Sequence, residues 1–139
     1  MKNTKRLPLL IILLAGLMFP TIQSCKKYPD GPAISFRSKS ERVANNWKVE
    51  NYKKNGTDYT SLVANYTEKY TKEGSYSYQW GAFSGMGTWA FKNSSKEIQI
   101  TGTNNQASVV LYILKLEEDQ FWYYYMDGSD KKEFHMITN

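Results

Sequence analysis

The chain has 139 residues, with 18 lysines and arginines against 13 aspartates and glutamates, and a formal net charge of +5. Its single histidine and single cysteine argue against histidine-rich metal sites and Cys/His catalysis, so we predict no enzymatic activity, no cofactor and no metal. The basic residues form no run longer than a pair, which argues against nucleic acid as a partner.

Residues 1–24 have the pattern of an export signal. Lys2, Lys5 and Arg6 precede an apolar run over residues 7–19, and small or polar residues continue to Ser24. The apolar run is too short to span a bilayer as a permanent helix. Because three of the basic residues lie in this segment, most of the positive charge leaves with it.

Cys25 follows Ile22-Gln23-Ser24 directly. An aliphatic residue three positions before the cysteine and a small residue just before it resemble the bacterial lipoprotein signal. The resemblance implies cleavage before Cys25, lipid attachment to Cys25 with palmitate among the acyl chains, and a membrane as partner. Lys26, where an aspartate would favour the inner membrane, implies the outer membrane of the cell envelope. An ordinary secretory signal that contains a cysteine is the alternative.

Residues 25–44 predict a lipidated tether that ends in a short helical turn. Pro29, Gly31 and Pro32 cannot sustain a helix or a central strand. From Ser38 onward, a serine cap followed by Glu41 favours one helical turn. One domain, over residues 45–139, follows this tether.

Eight segments of this domain have the composition of strands and are separated by turn signals, which predicts an all-β, up-and-down antiparallel meander. Asn55-Gly56, Gly74 and Asp127-Gly128 are among the turns, since glycine and asparagine tolerate positive φ. The predicted strands are residues 47–52, 65–71, 75–80, 87–92, 96–102, 107–116, 120–126 and 131–138.

Turn lengths assign the two faces of each strand. An even turn at 127–130 pairs Met126 with Lys131 and sends Phe121, Tyr123 and Tyr125 to one face. An even turn at 117–120 adds Leu116, Leu114, Tyr112 and Val110 to that inward face. The turn at 103–106 conflicts with this assignment, because an even turn there would pair Ile98 and Ile100 with Leu111 and Val109. We therefore expect an odd loop or a bulge at 103–106.

The inward face is rich in tyrosines, and each buried hydroxyl needs a hydrogen-bond partner. A wet or ligand-filled cavity would supply those partners, and so would bulk water if the tyrosines lie near the barrel ends. Glu68 would be a polar anchor inside the cavity or a residue facing a loop. The predicted ligand-binding residues are Tyr66, Tyr70, Tyr76, Tyr78, Trp80, Trp89, Tyr112, Phe121, Tyr123 and Tyr125.

Trp47 opens the first strand, and GTWAF (87–91) leads through a turn to EIQI (97–100). Together with the signal and tether, these features resemble the lipocalin-like lipoproteins of Gram-negative envelopes. The resemblance implies a small eight-stranded barrel that binds a small apolar or amphipathic ligand. A β-sandwich is the alternative architecture.

The outward face predicts a second function, a non-catalytic protein–protein or carbohydrate-binding module with an envelope partner. His135 is expected to lie outward beside Glu133 as a solvated residue. The segment 33–44 could itself cover the outward apolar patch. The predicted patch residues are Leu111, Ile113, Trp122, Tyr124 and Met126.

Overall fold

The computed structural model describes residues 36–139, so the predicted signal, Cys25 and the first part of the tether lie outside the described residues. Among residues 36–139, no helix is long and apolar enough to cross a membrane. The elements are α1 (Lys39–Val43), β1 (Asn46–Lys54), β2 (Thr57–Asp58), a 3-10 turn (Thr60–Val63), β3 (Tyr66–Tyr70), β4 (Ser75–Trp80), β5 (Phe83–Lys92), a 3-10 turn (Asn93–Ser95), β6 (Glu97–Asn104), β7 (Val109–Leu116), β8 (Gln120–Asp127) and β9 (Asp130–Thr138).

The strands form a closed antiparallel barrel. Their order is β2-β1-β3-β4-β5-β6-β7-β8-β9, and β1 pairs with β9 as well, so eight strands close on themselves and β2 extends one edge of β1. Closure removes the unpaired edges that a sandwich would leave. The predicted all-β meander and barrel are therefore confirmed.

All eight predicted strands are present, but β5 begins at Phe83 and not at residue 87. Its early part contains Gly85 and Gly87. Glycine has low strand propensity, so the sequence did not indicate the first residues of β5. Both glycines allow close approach: a Cβ on Gly85 would lie 2.3 Å from the Tyr78 ring, and one on Gly87 would lie 2.3 Å from the Thr101 carbonyl oxygen. The short β2 was not predicted.

The predicted register of the hairpin between β8 and β9 is confirmed. Met126 pairs with Lys131, Tyr123 with Phe134 and Phe121 with Met136, so the turn between β8 and β9 has even length. Tyr66, Glu68 and Tyr70 of β3 pair with Trp80, Tyr78 and Tyr76 of β4. The strand alternation in these hairpins therefore places the side chains as the turn lengths indicate.

The register of β7 corrects the prediction. Ile98 and Ile100 do pair with Leu111 and Val109 across an even connection, so no odd loop exists at 103–106. The irregularity lies inside β7, where the pairing with β8 shifts between Ile113 and Lys115 and leaves Leu114 as a bulge. Because the bulge adds one residue, each β7 residue before it faces the side opposite to the one predicted. Leu111 and Ile113 are therefore buried, and Tyr112 is exposed on the outside.

Helix α1 closes one end of the barrel. Ser38 caps it, and the Ser38 and Glu41 side chains form a reciprocal capping box. The Trp47 indole donates to the Val43 carbonyl oxygen at 2.9 Å, and Arg42 Nη1 donates to the Leu116 carbonyl oxygen at 2.7 Å. Val43 and Trp47 are fully buried, so the apolar side of α1 packs into the barrel end and does not cover the outward patch.

Candidate functional site: a tyrosine-lined pocket with a buried glutamate

Glu68 lies on the inward face of β3 and is 3% exposed. Strand alternation places it between Tyr66 and Tyr70 on the same face. Four tyrosine hydroxyls donate to its carboxylate, at 2.8 Å from Tyr66, 3.0 Å from Tyr70, 3.0 Å from Tyr76 and 2.9 Å from Tyr123. These five residues, which come from β3, β4 and β8, are called the Glu68 cluster below.

Burial and hydrogen bonding act in opposite directions on Glu68. Burial raises the pKa of Glu68 above the ordinary glutamate value, and hydrogen bonds from the four tyrosines oppose that rise. Burial is also the first cause that raises the pKa of Tyr66, Tyr70, Tyr76 and Tyr123, followed by the charge of Glu68. The phenols therefore stay protonated and donate hydrogen bonds to Glu68.

The hydrogen-bond pattern fits an ionised Glu68. A carboxylate accepts and cannot donate. Three of the hydroxyls, those of Tyr66, Tyr76 and Tyr123, converge on Oε1, and the Tyr70 hydroxyl donates to Oε2. A protonated carboxyl group would have to donate to one of the hydroxyls and turn that hydroxyl's own proton away. Hydrogen bonds to an ionised acceptor are also the stronger kind.

A pocket of about 260 Å³ lies over the cluster. It opens at the end of the barrel opposite α1, beside the β6–β7 loop and the β8–β9 turn. Its wall combines tyrosine side chains with aliphatic ones, and loop residues form its mouth. The lining residues are Tyr66, Glu68, Tyr76, Ile100, Gln106, Ala107, Ser108, Val109, Leu111, Tyr123, Tyr125, Met126 and Asp127.

Four predicted ligand-binding residues line this pocket: Tyr66, Tyr76, Tyr123 and Tyr125. Three others, Tyr70, Trp89 and Phe121, are buried on the α1 side of the barrel. The rings of Trp89 and Phe121 lie edge-on to Tyr70, with centroids 5.9 and 5.8 Å away.

The remaining three predicted ligand-binding residues lie elsewhere. The Tyr78 hydroxyl donates to the Asn105 carbonyl oxygen at the pocket end of the barrel. Trp80 is wrongly predicted to be interior, because β4 ends there and the residue is 42% exposed. Tyr112 is wrongly predicted as well, because the bulge at Leu114 turns it outward.

The outward patch differs from its prediction. Leu111 and Ile113 are buried inside the barrel. They are therefore not part of the outward patch, because the bulge at Leu114 turns them inward. Trp122 stacks on His135 with ring centroids 4.1 Å apart, and the Lys115 ammonium lies 4.4 Å from the centroid of Trp122. Tyr124 stacks instead on Tyr112, at 4.9 Å. Of the predicted patch residues, Met126 remains exposed, so much of this face is covered by the chain's own side chains.

His135 faces outward beside Glu133 as predicted, but it is not a solvated residue, because the Trp122 ring covers it and its side chain is 15% exposed. Its Nε2 lies 2.9 Å from a Glu133 carboxylate oxygen. Within the described part of the chain, no group of three or more His, Cys, Asp or Glu side chains is placed to hold a metal ion.

Two surface features were missed from the sequence. Leu62, Trp80 and Phe83 are exposed at the pocket end of the barrel, where the β4–β5 turn meets the 3-10 turn before β3. A groove of about 410 Å³ runs over the outer faces of β3, β4 and β5, with Thr67, Ser77 and Gln79 in its wall. Although it is larger, this groove is an open surface on the outside of the sheet, and the pocket over Glu68 is the better candidate.

The Glu68 cluster itself had a partial signal in the sequence. YTEKY (66–70) places an acid between two tyrosines with a period of two, so all three share one strand face. The contributions of Tyr76 and Tyr123 come from β4 and β8 and depend on barrel closure.

Comparison with protein-family models finds no family that matches this chain. Comparison with curated proteins finds no significant relative.

Proposed function

We propose that the protein is a cell-envelope lipoprotein whose barrel binds a small apolar or amphipathic ligand and has no catalytic role. The observation that supports it best is the pocket over Glu68, which joins aliphatic and hydroxyl-bearing walls at the end of a closed barrel. Binding pockets are concave, mainly apolar, and carry a few convergent polar groups. Ile100, Val109 and Leu111 supply the apolar wall here, and the tyrosines supply the polar groups.

The size of the pocket restricts the ligand. The α1 half of the barrel is filled by side chains, including the fully buried Trp47, Phe121 and Leu116. The ligand is therefore confined to the pocket half, and a volume of about 260 Å³ lies just below the ~300–1,000 Å³ that is typical of ligand sites. We infer a short molecule and not a long lipid.

The pocket supports the proposal better than the outer face does. Lys115 and His135 cover Trp122, and Lys131 lies 4.5 Å from the centroid of Tyr124. A partner protein or sugar would have to displace these side chains to reach the aromatic rings. A ligand that enters the pocket need displace only water.

Binding is tested with a pair of variants on adjacent residues of β7. Val109→Phe puts a large ring into the pocket, and Val110→Phe puts the same ring on the opposite face. Binding to the chain beginning at Lys26 is measured by titration with a neutral fluorescent probe that carries a short alkyl chain, and by native mass spectrometry. Val109→Phe should weaken binding about tenfold or more, and Val110→Phe should leave it in place. Absence of bound mass, and of any probe binding at micromolar concentration, would contradict the proposal.

Anchoring is a separate part of the proposal and rests on the sequence around Cys25. A Cys25→Ser variant should move the full chain from the membrane fraction to the soluble fraction, because the acyl chains supply the membrane affinity. Metabolic labelling with palmitate should label the parent chain and not the Cys25→Ser variant. A labelled variant, or an unlabelled parent chain, would remove the lipoprotein assignment.

A further inference from the structure

Within residues 36–139, Glu68 is a buried acid without a cationic partner. Among residues 36–139, its hydrogen bonds come from four tyrosine hydroxyls, and no Lys or Arg forms an ion pair with it. Arg42 is the buried cation in the described part of the chain, but it donates to the Leu116 carbonyl oxygen at the α1 end. A buried charge is costly unless it is hydrogen-bonded and paired. The hydrogen bonds are present here, and the paired cation is not.

The cluster presents acceptors to the pocket and no donors. Each phenol has one proton, and Tyr66, Tyr76 and Tyr123 all point theirs at Glu68. Their oxygen lone pairs remain, and the Tyr66 and Tyr76 oxygens lie 3.4 Å apart. All three tyrosines line the pocket. A ligand group that donates hydrogen bonds is therefore complementary to this floor, and an anionic group is not.

The charged side chains near the mouth do not reverse this preference. Asp127 lines the mouth and adds negative charge. Lys132 is its partner, in an ion pair at the β8–β9 turn. Lys131 pairs with Glu133 on the outer face. The lysines nearest the pocket are thus already engaged with carboxylates.

We propose that the pocket selects a small cationic amphiphile, a short alkyl chain with a primary ammonium head, over neutral and anionic molecules of the same length. This inference rests on the proposed function. The ammonium donates to the oxygens of Tyr66, Tyr76 and Tyr123, and its charge is balanced by Glu68 through those hydroxyls. The alkyl chain packs against Ile100, Val109 and Leu111.

The test compares three ligands that share one alkyl chain: octylammonium, octanol and octanoate. Binding to the chain beginning at Lys26 is measured by isothermal titration calorimetry at neutral pH. Octylammonium should bind at least about tenfold more tightly than octanol, because hydrogen bonds that involve a charged group are stronger than neutral ones. Octanoate should bind most weakly.

Two variants assign the selectivity to Glu68. Glu68→Gln removes the charge and should collapse the ratio of octylammonium to octanol affinity toward one. Glu97→Gln makes the same change on the outside of β6 and should leave the ratio as in the parent chain. A ratio that survives in Glu68→Gln would overturn the inference.

The outcomes separate this inference from the proposed function. Octanol or octanoate binding as tightly as octylammonium would overturn the cationic preference and still support a ligand-binding barrel. Failure of all three ligands to bind, together with a negative probe titration, would reject the proposed function and this inference with it.

Discussion

At the residue scale, Glu68 decides how the barrel interior is organised. Tyrosines inside a core carry hydroxyls that lose water, and an unsatisfied hydroxyl costs about 1–3 kcal/mol. One carboxylate accepts from four of them. A single acid therefore offsets most of the cost of burying tyrosine hydroxyls in this interior. The sequence showed the tyrosines and the acid, but not that they meet.

The pH dependence of stability tests the protonation of Glu68. Because burial raises its pKa above 4.5, the folded state holds this proton more tightly than the unfolded state does. The contribution of Glu68 to the free energy of unfolding is therefore greatest below the ordinary glutamate pKa and is lost as pH rises toward the folded value. Glu68→Gln lacks this titration.

Urea unfolding of the parent chain and of Glu68→Gln, from about pH 4.5 to pH 8, measures that difference. The stability of the parent chain relative to Glu68→Gln should fall as pH rises. Taking the difference removes the opposing effect of surface acids such as Asp58 and Asp130, whose pKa values are lowered by hydrogen bonds. A relative stability that rises over this range would mean that the hydrogen bonds outweigh burial.

At the scale of the element, the bulge in β7 decides which residues reach the interior. Alternation counted backward from Leu116 predicted Tyr112 and Leu114 inside, and the unpaired Leu114 reverses that order. The sequence did contain a warning, because the even connection to Ile98 and Ile100 required Leu111 and Val109 to face inward. The predicted irregularity does exist, but it lies at Leu114 within β7 and not in the loop at 103–106 before β7.

Two aspartate substitutions in β7 check the reversed faces. Leu111→Asp buries a charge in the core, where the parent residue is 3% exposed, and should cost about 3 kcal/mol or more. Tyr112→Asp alters an exposed position and should cost about 1 kcal/mol or less. Chemical denaturation monitored by tryptophan fluorescence measures both. A larger loss of stability in Tyr112→Asp than in Leu111→Asp would contradict the bulge and indicate a regular β7 strand with Tyr112 inside.

At the scale of the whole molecule, the two ends of the barrel differ. Helix α1 seals one end through Val43 and Trp47, and the aromatic and aliphatic core continues inward from them. The pocket occupies the other end. Stability and ligand binding are thus separated along the barrel axis, which gives the pocket room without a hole through the core.

The role of α1 as a seal is checked with Val43→Ala, which removes two methyl groups from a fully buried site. The loss should be about 1–2.5 kcal/mol, since a cavity remains beneath the helix. Phe36→Ala is the control, because Phe36 is fully exposed and its loss should not move the midpoint of thermal unfolding. Equal stability of the parent chain and Val43→Ala would show that α1 does not seal the core.

The sequence by itself determined eight of the nine strands, their order and most turn lengths, because strand periodicity and turn chemistry are local properties of consecutive residues. It also predicted a serine cap for the helix with Glu41 in its first turn, and the structure has Ser38 as that cap. The tertiary structure alone decided the bulge at Leu114, the exposure of Trp80, and the meeting of Glu68 with tyrosines from three strands. These depend on pairing between distant segments and on closure of β1 with β9, which fix distances that no local pattern contains.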